Sequence, residues 1–111
     1  MKRSTTKITL INKDGELRWV NAYGYHWEWE GFTFVIHRPV DPEDLGNQPF
    51  RSKGWVMSET NTGAKVSGFS CETREDLIRY MDDKLNLNGV EKFSRLVAAN
   101  LNKRQDAYLH W

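Results

Sequence analysis

His26, Glu28 and His37 are the residues whose types come nearest to chemistry. On adjacent antiparallel strands all three fall on one face, and two imidazoles beside a carboxylate can hold a metal ion or sense pH. The same alternation also places ordinary polar residues on the face turned away from a core, and the sequence favours that reading. Glu28 and Glu30 make a carboxylate pair, but nothing around them supplies the pocket that acid–base work needs to perturb a pKa. Cys71 stands just ahead of a predicted helix, whose dipole can lower a thiol pKa. A nucleophile also needs an oriented base, which the three His do not supply, so a partly buried structural Cys is expected. Asp82 and Asp83 point about 100° apart on a helix and do not converge on one ion. No catalytic residue, cofactor or metal site is assigned, and a non-enzymatic protein is expected.

Binding chemistry is better represented. Trp27 and Trp29 read inward, whereas Trp19, Trp55 and Trp111 do not all fit one core, so one or two belong at the surface. There Trp beside Arg stacks bases or anchors a protein interface. Arg18, Arg38, Arg51 and Lys53 flank these rings or lie in the stretch 39–53, which holds all three Pro and no periodicity and reads as a binding loop. Lys84, Lys92, Arg95, Lys103 and Arg104 give the second predicted helix a basic surface. The partner-contacting set is therefore Arg38, Asp41, Glu43, Asp44, Phe50, Arg51 and Lys53 in and beside the loop, with Lys92, Arg95, Lys103 and Arg104 on the helix.

These residues need strands first and helices second. Apolar residues alternate up to about residue 69 and recur at three and four from about 73, which predicts an α+β domain spanning residues 1–111. Thr6 to Asn12 and Leu17 to Ala22 read as strands joined through Lys13-Asp14-Gly15-Glu16, and Gly24 marks a bulge or sharp bend. With Glu30-Gly31 as a two-residue turn, Trp29 pairs with Phe32, Trp27 with Phe34 and Tyr25 with Ile36, so six large apolar residues share one face. The other face then carries His26, Glu28, Thr33, Val35 and His37. Gly54 to Thr60 and Ala64 to Phe69 close the sheet, giving a mainly antiparallel five-stranded meander. Thr73 with Asp76 caps a first helix carrying Leu77, Ile78, Met81 and Leu85, and Asn88 with Glu91 caps a second carrying Val90, Phe93, Leu96, Val97 and Leu101. Both helices are expected to pack on the aromatic face.

Composition removes whole classes of function. Sixteen Lys and Arg against 15 Asp and Glu leave a formal charge of +1, too little for a purely electrostatic nucleic-acid binder and too positive for an acidic DNA mimic. The balance is uneven, since residues 72–83 carry five acids and two bases and residues 84–104 five bases and one acid. No apolar run approaches the roughly 20 residues that span a bilayer, and the basic start runs into Ile8-Thr9-Leu10-Ile11 rather than a signal-peptide core, so a cytoplasmic protein is expected. A single Cys agrees with a reducing compartment.

Gly54-Trp55-Val56-Met57-Ser58-Glu59, then Thr62-Gly63, Thr73-Arg74-Glu75-Asp76 and Gly89-Val90-Glu91-Lys92-Phe93, resemble small accessory proteins of phages and other bacterial mobile elements, over about residues 54–93. The resemblance implies a single α+β domain that binds and blocks host machinery, as anti-CRISPR inhibitors of RNA-guided nucleases do, and it carries no active site. Several such inhibitors are strongly acidic DNA mimics, and this near-neutral chain departs from them. The expected partner is then a bacterial protein or ribonucleoprotein such as a CRISPR effector, contacted at a protein surface or a guide complex. The alternative is a single-stranded nucleic-acid-binding accessory protein. A homodimer through exposed Trp is a further expectation.

Overall fold

The computed structural model describes residues 1–12, 14–40, 53–102 and 106–109. Strands β1 (Arg3–Ile11), β2 (Leu17–Trp29), β3 (Phe32–His37) and β4 (Val56–Glu59) form one antiparallel meander, followed by helices α1 (Arg74–Asn88) and α2 (Val90–Asn102). The β2–β3 turn has positive φ at both central residues, 48° at Glu30 and 83° at Gly31, and such a turn matches the twist of the strands it joins. It sets the expected register: Trp29 opposite Phe32, Trp27 opposite Phe34, Tyr25 opposite Ile36.

That register builds the core. Trp29, Phe34, Ile36 and Met57 bury against Leu77, Met81 and Leu85 of α1 and Phe93 and Val97 of α2, with Tyr25, Trp27 and Phe32 half-buried at its margin. Phe93 meets Phe32 edge-on at 4.9 Å and Trp29 edge-on at 5.9 Å, the offset geometry that ring quadrupoles favour. The Trp29 indole N–H donates to Asn86 Oδ1 at 2.8 Å, so the buried ring leaves no donor unpaired. Thr73 caps α1 as expected, its Oγ1 accepting from the Asp76 N–H at 3.1 Å.

Several expectations are corrected. The sheet has four strands, because Ala64 to Phe69 follows β4 only through Lys65 opposite Ser58. Further along, the Ser67 hydroxyl accepts the Met57 N–H that a continuing ladder would have used. Gly24 lies inside an unbroken β2 rather than at a bend, and a Cβ there would run into the Ile36 carbonyl oxygen, so close backbone approach is what requires Gly. Asn88 is the last residue of α1 and donates its side-chain amide to the Lys84 carbonyl, instead of capping α2. Val90 and Leu101, expected in the core, are exposed. The face opposite the helices is partly closed, because Val35 buries with Ile8 and Ala22 in a second small cluster and the Thr9 N–H reaches the Gly63 carbonyl at 2.8 Å, curling β1 toward the turn after β4.

Truncating Phe93→Ala should cost about 3–5 kcal/mol in urea unfolding, while Leu101→Ala, 47% exposed, should stay within about 0.5 kcal/mol. Equal losses at the two positions would contradict this placement of α2.

Candidate nucleic-acid interface

His26 and His37 do not share a site. His26 Nε2 lies 3.0 Å from Ser4 Oγ and 2.7 Å from Thr6 Oγ1, a cross-strand contact with β1. His37 is buried, its Nδ1 2.7 Å from the Arg38 carbonyl and its Nε2 2.8 Å from Ser58 Oγ. A carbonyl only accepts, so Nδ1 carries the proton and Nε2 accepts from the Ser58 hydroxyl. Burial draws the His37 pKa from 6.5 down to about 4, and the Lys65 charge adds to this while the bond to Arg38 opposes it. Glu28 and Glu30 are exposed, and among the described residues no three His, Cys, Asp or Glu side chains gather as a metal set. Burial, then the Asp76 charge, push the Cys71 thiol up, opposite to the activation that a helix dipole would give.

The groups that do converge are rings and guanidiniums. Arg38, just past β3, lies 3.8 Å from the ring centre of Trp55, and Arg74, the first residue of α1, lies 3.7 Å from that of Tyr25 and 5.6 Å from Trp55. Tyr25 and Trp55 meet edge-on at 6.0 Å. Arg3, the first residue of β1, covers Tyr25 at 5.5 Å and Tyr23 at 5.9 Å. The six side chains alternate along the surface as Arg38, Trp55, Arg74, Tyr25, Arg3 and Tyr23.

Each member is positioned by an ordinary local device. The β1–β2 register puts Arg3 opposite Tyr25, and Tyr23 follows on the same face two residues away. Trp55 is held by two backbone bonds to Cys71, at 2.7 and 3.0 Å. The Arg38 Nη1 donates to the Gly54 carbonyl at 3.0 Å, tying together the two ends of the 39–53 stretch. Among the described residues no carboxylate is paired with Arg3, Arg38 or Arg74; Arg18 does pair, with Glu16 at 3.8 Å. Three guanidiniums thus sit on aromatic faces with no carboxylate partner among the described residues, which suits an anion that also offers flat surfaces.

Comparisons with family models, curated proteins and solved structures return no match to the chain. The interface therefore rests on its own geometry.

A cleft of about 510 Å³ touches both ends of the row, Tyr23 and Arg38, and is lined besides by Lys7 of β1, Trp19 and Asn21 of β2, and Val40. Of the expected contact residues, Arg38 belongs to this surface and exposed Lys53 borders Gly54 and Trp55. Lys92 and Arg95 instead bond within α2 and its approach, Lys92 Nζ to Asn88 Oδ1 at 3.0 Å and Arg95 Nε to the Glu91 carbonyl at 3.4 Å. Asp41, Glu43, Asp44, Phe50, Arg51, Lys103, Arg104 and Trp111 lie outside the described residues. Arg3, Arg74, Tyr23 and Tyr25 were not anticipated as contacts. Counting back from a two-residue Asp14-Gly15 turn sets Arg3 against His26, whereas the observed pairing of Ile11 with Leu17 sets it against Tyr25, and Arg74 comes from a helix start with no register to the strands.

Because the folded His37 binds its proton more weakly than the unfolded chain does, stability should fall as pH drops from 6.5 to about 4, by up to about 3 kcal/mol, and be unaffected above that window. Urea unfolding across that range should show a steeper loss for the wild type than for His37→Gln. Parallel profiles would contradict the buried neutral imidazole.

Proposed function

We propose that this chain is a non-enzymatic binding protein whose cation–aromatic face engages single-stranded nucleic acid, free or presented by a ribonucleoprotein. The observation that carries the reading is the alternation of Arg3, Arg38 and Arg74 with Tyr23, Tyr25 and Trp55. A single strand offers phosphates and unstacked base faces in the same alternation, and base–aromatic stacking contributes about 1–3 kcal/mol per base. The small net charge does not oppose this reading, because three of the 16 Lys and Arg residues gather on this one ring-bearing surface.

The likeness of residues 54–93 to phage and mobile-element accessory proteins supplies a setting. There the protein would act in a bacterial host as an anti-CRISPR type inhibitor, engaging the guide or the displaced strand of an RNA-guided nuclease. A second reading, docking on a protein surface of such an effector, is favoured by the Arg38–Gly54 bond, which holds residues 38 and 54 together beside the same row of rings.

Fluorescence anisotropy with a labelled single strand tests the proposal. Binding should be measurable at about 50 mM salt and weaken steeply by about 200 mM. Arg74→Ala and Arg3→Ala should each lower affinity about five- to tenfold and reduce the salt slope by about 0.7, whereas Lys92→Ala should change neither. No binding at low salt would sink the nucleic-acid reading; inhibition of an effector nuclease that persists in Arg3→Ala and Arg74→Ala would point to the protein-docking one.

A further inference from the structure

We propose that the open edge of β2 at Trp19, Asn21 and Tyr23 takes one more strand, an extended peptide that alternates acidic and aliphatic side chains. The inference stands apart from the single-strand reading, because it uses backbone groups on a strand edge and not the faces of the rings. In an antiparallel pair the N–H and C=O of one residue point to the same side, and successive residues point to opposite sides. The His26 N–H donates to the Lys2 carbonyl at 2.8 Å, so Gly24, Ala22 and Val20 also turn their backbone groups toward β1, against Ser4, Thr6 and Ile8. The Thr9 N–H obeys the same alternation, reaching the Gly63 carbonyl and not its cross-strand neighbour Trp19. Tyr23, Asn21 and Trp19 therefore turn their backbone groups toward the lane of β3, whose pairing with β2 ends at Tyr25 and Ile36. Among the described residues nothing takes up those groups.

The lane is kept open by the way β3 ends. The Arg38 side chain is drawn to the Gly54 carbonyl and lies on Trp55, and Pro39 has no N–H to carry a ladder on. The cleft of about 510 Å³ follows the edge so exposed: every residue from Trp19 to Tyr23 lines it, from both faces of β2, with His37, Arg38 and Val40 across the lane. Such a trough suits a single extended segment, whereas a second copy pairing through its own β2 would bring β1 and residues 37–40 with it. The edge is about 13 Å long, the reach of about five residues. On one face Lys7 stands opposite Asn21 and Arg38 lies across the lane, and no Asp or Glu lines the cleft. On the other face Val20 and Val40 pack, partly buried, on Ile8, Ala22 and Val35. A strand laid in the lane thus meets cations with every second side chain and an aliphatic patch with those between. Backbone bonds would hold it and the alternate side chains would select it.

A fluorescein-labelled Gly-Glu-Val-Glu-Val-Glu-Gly peptide, titrated into the full chain and followed by anisotropy and amide hydrogen exchange, provides the test. It should bind and slow exchange at Trp19, Asn21 and Tyr23, while Val20 and Ala22, already bonded to β1, change little. In an antiparallel addition, the direction of β3, the Glu N–H groups face β2. Methylating those nitrogens should weaken binding at least tenfold, and methylating the Val nitrogens should not. Asn21→Pro, which removes one open N–H and spares the bonds to β1, should also lose the peptide. Lys7→Ala should weaken binding about threefold, and the peptide with Lys in place of Glu should bind at least tenfold more weakly. No binding at about 1 mM peptide, or binding that tolerates both methylations, would overturn the proposal. Oligonucleotide binding without peptide binding would remove the edge site alone, and peptide binding without oligonucleotide binding would support it while removing the single-strand reading.

Discussion

The pairing of β2 with β3 across Glu30-Gly31 determines both what this protein buries and what it shows. Side chains along a strand repeat every two residues, so the face of β2 that carries Trp29, Trp27 and Tyr25 also carries Tyr23, Asn21 and Trp19. The first three meet Phe32, Phe34 and Ile36 and go under α1 and α2 or to the edge of that core. β2 pairs with β3 only as far as Tyr25 and continues beside β1 alone, and there the same face stays open. A shift of one residue would expose the core rings and turn Tyr23, Asn21 and Trp19 to the other side of the sheet.

Tyr25 stands at the boundary. It is half-buried, packs on the core, and is covered by both Arg74 and Arg3. Each exposed cation–π contact contributes only about 0.5–1 kcal/mol, so the row does not hold the fold together. Its value lies in placement, because guanidiniums laid flat on rings are ordered before binding and, among the described residues, have no carboxylate to give up when an anion arrives. The polar groups of His37 are used differently: both ring nitrogens are committed inside the protein, which makes it part of the wall and not of the chemistry.

Legibility in the sequence followed the strength of local signals. A two-residue Glu-Gly turn flanked by alternating rings admits one register, and Thr73 with Asp76 is a capping pattern with a mechanism, so both were readable. Gly24 stood out, but interruption of a strand pattern does not distinguish a bend from a close backbone approach. The fifth strand failed because a Ser67 hydroxyl displaced a backbone partner, and the Asn88 cap failed because an Asn at a helix junction serves either helix. The Arg74 position depends on how a helix start packs beside two strands, which no periodicity encodes. Basic residues of α2 drew notice as a charge run, although Lys92 and Arg95 bond within their own helix region.

Trp indole N–H resonances report on the central claim most directly, since covered and open parts of one strand face each carry Trp. Titration with a single-stranded oligonucleotide should shift the Trp19 and Trp55 indole signals and leave that of Trp29, bonded to Asn86 in the core, in place. Binding that leaves Trp19 and Trp55 unmoved while perturbing α2 amides would contradict the account.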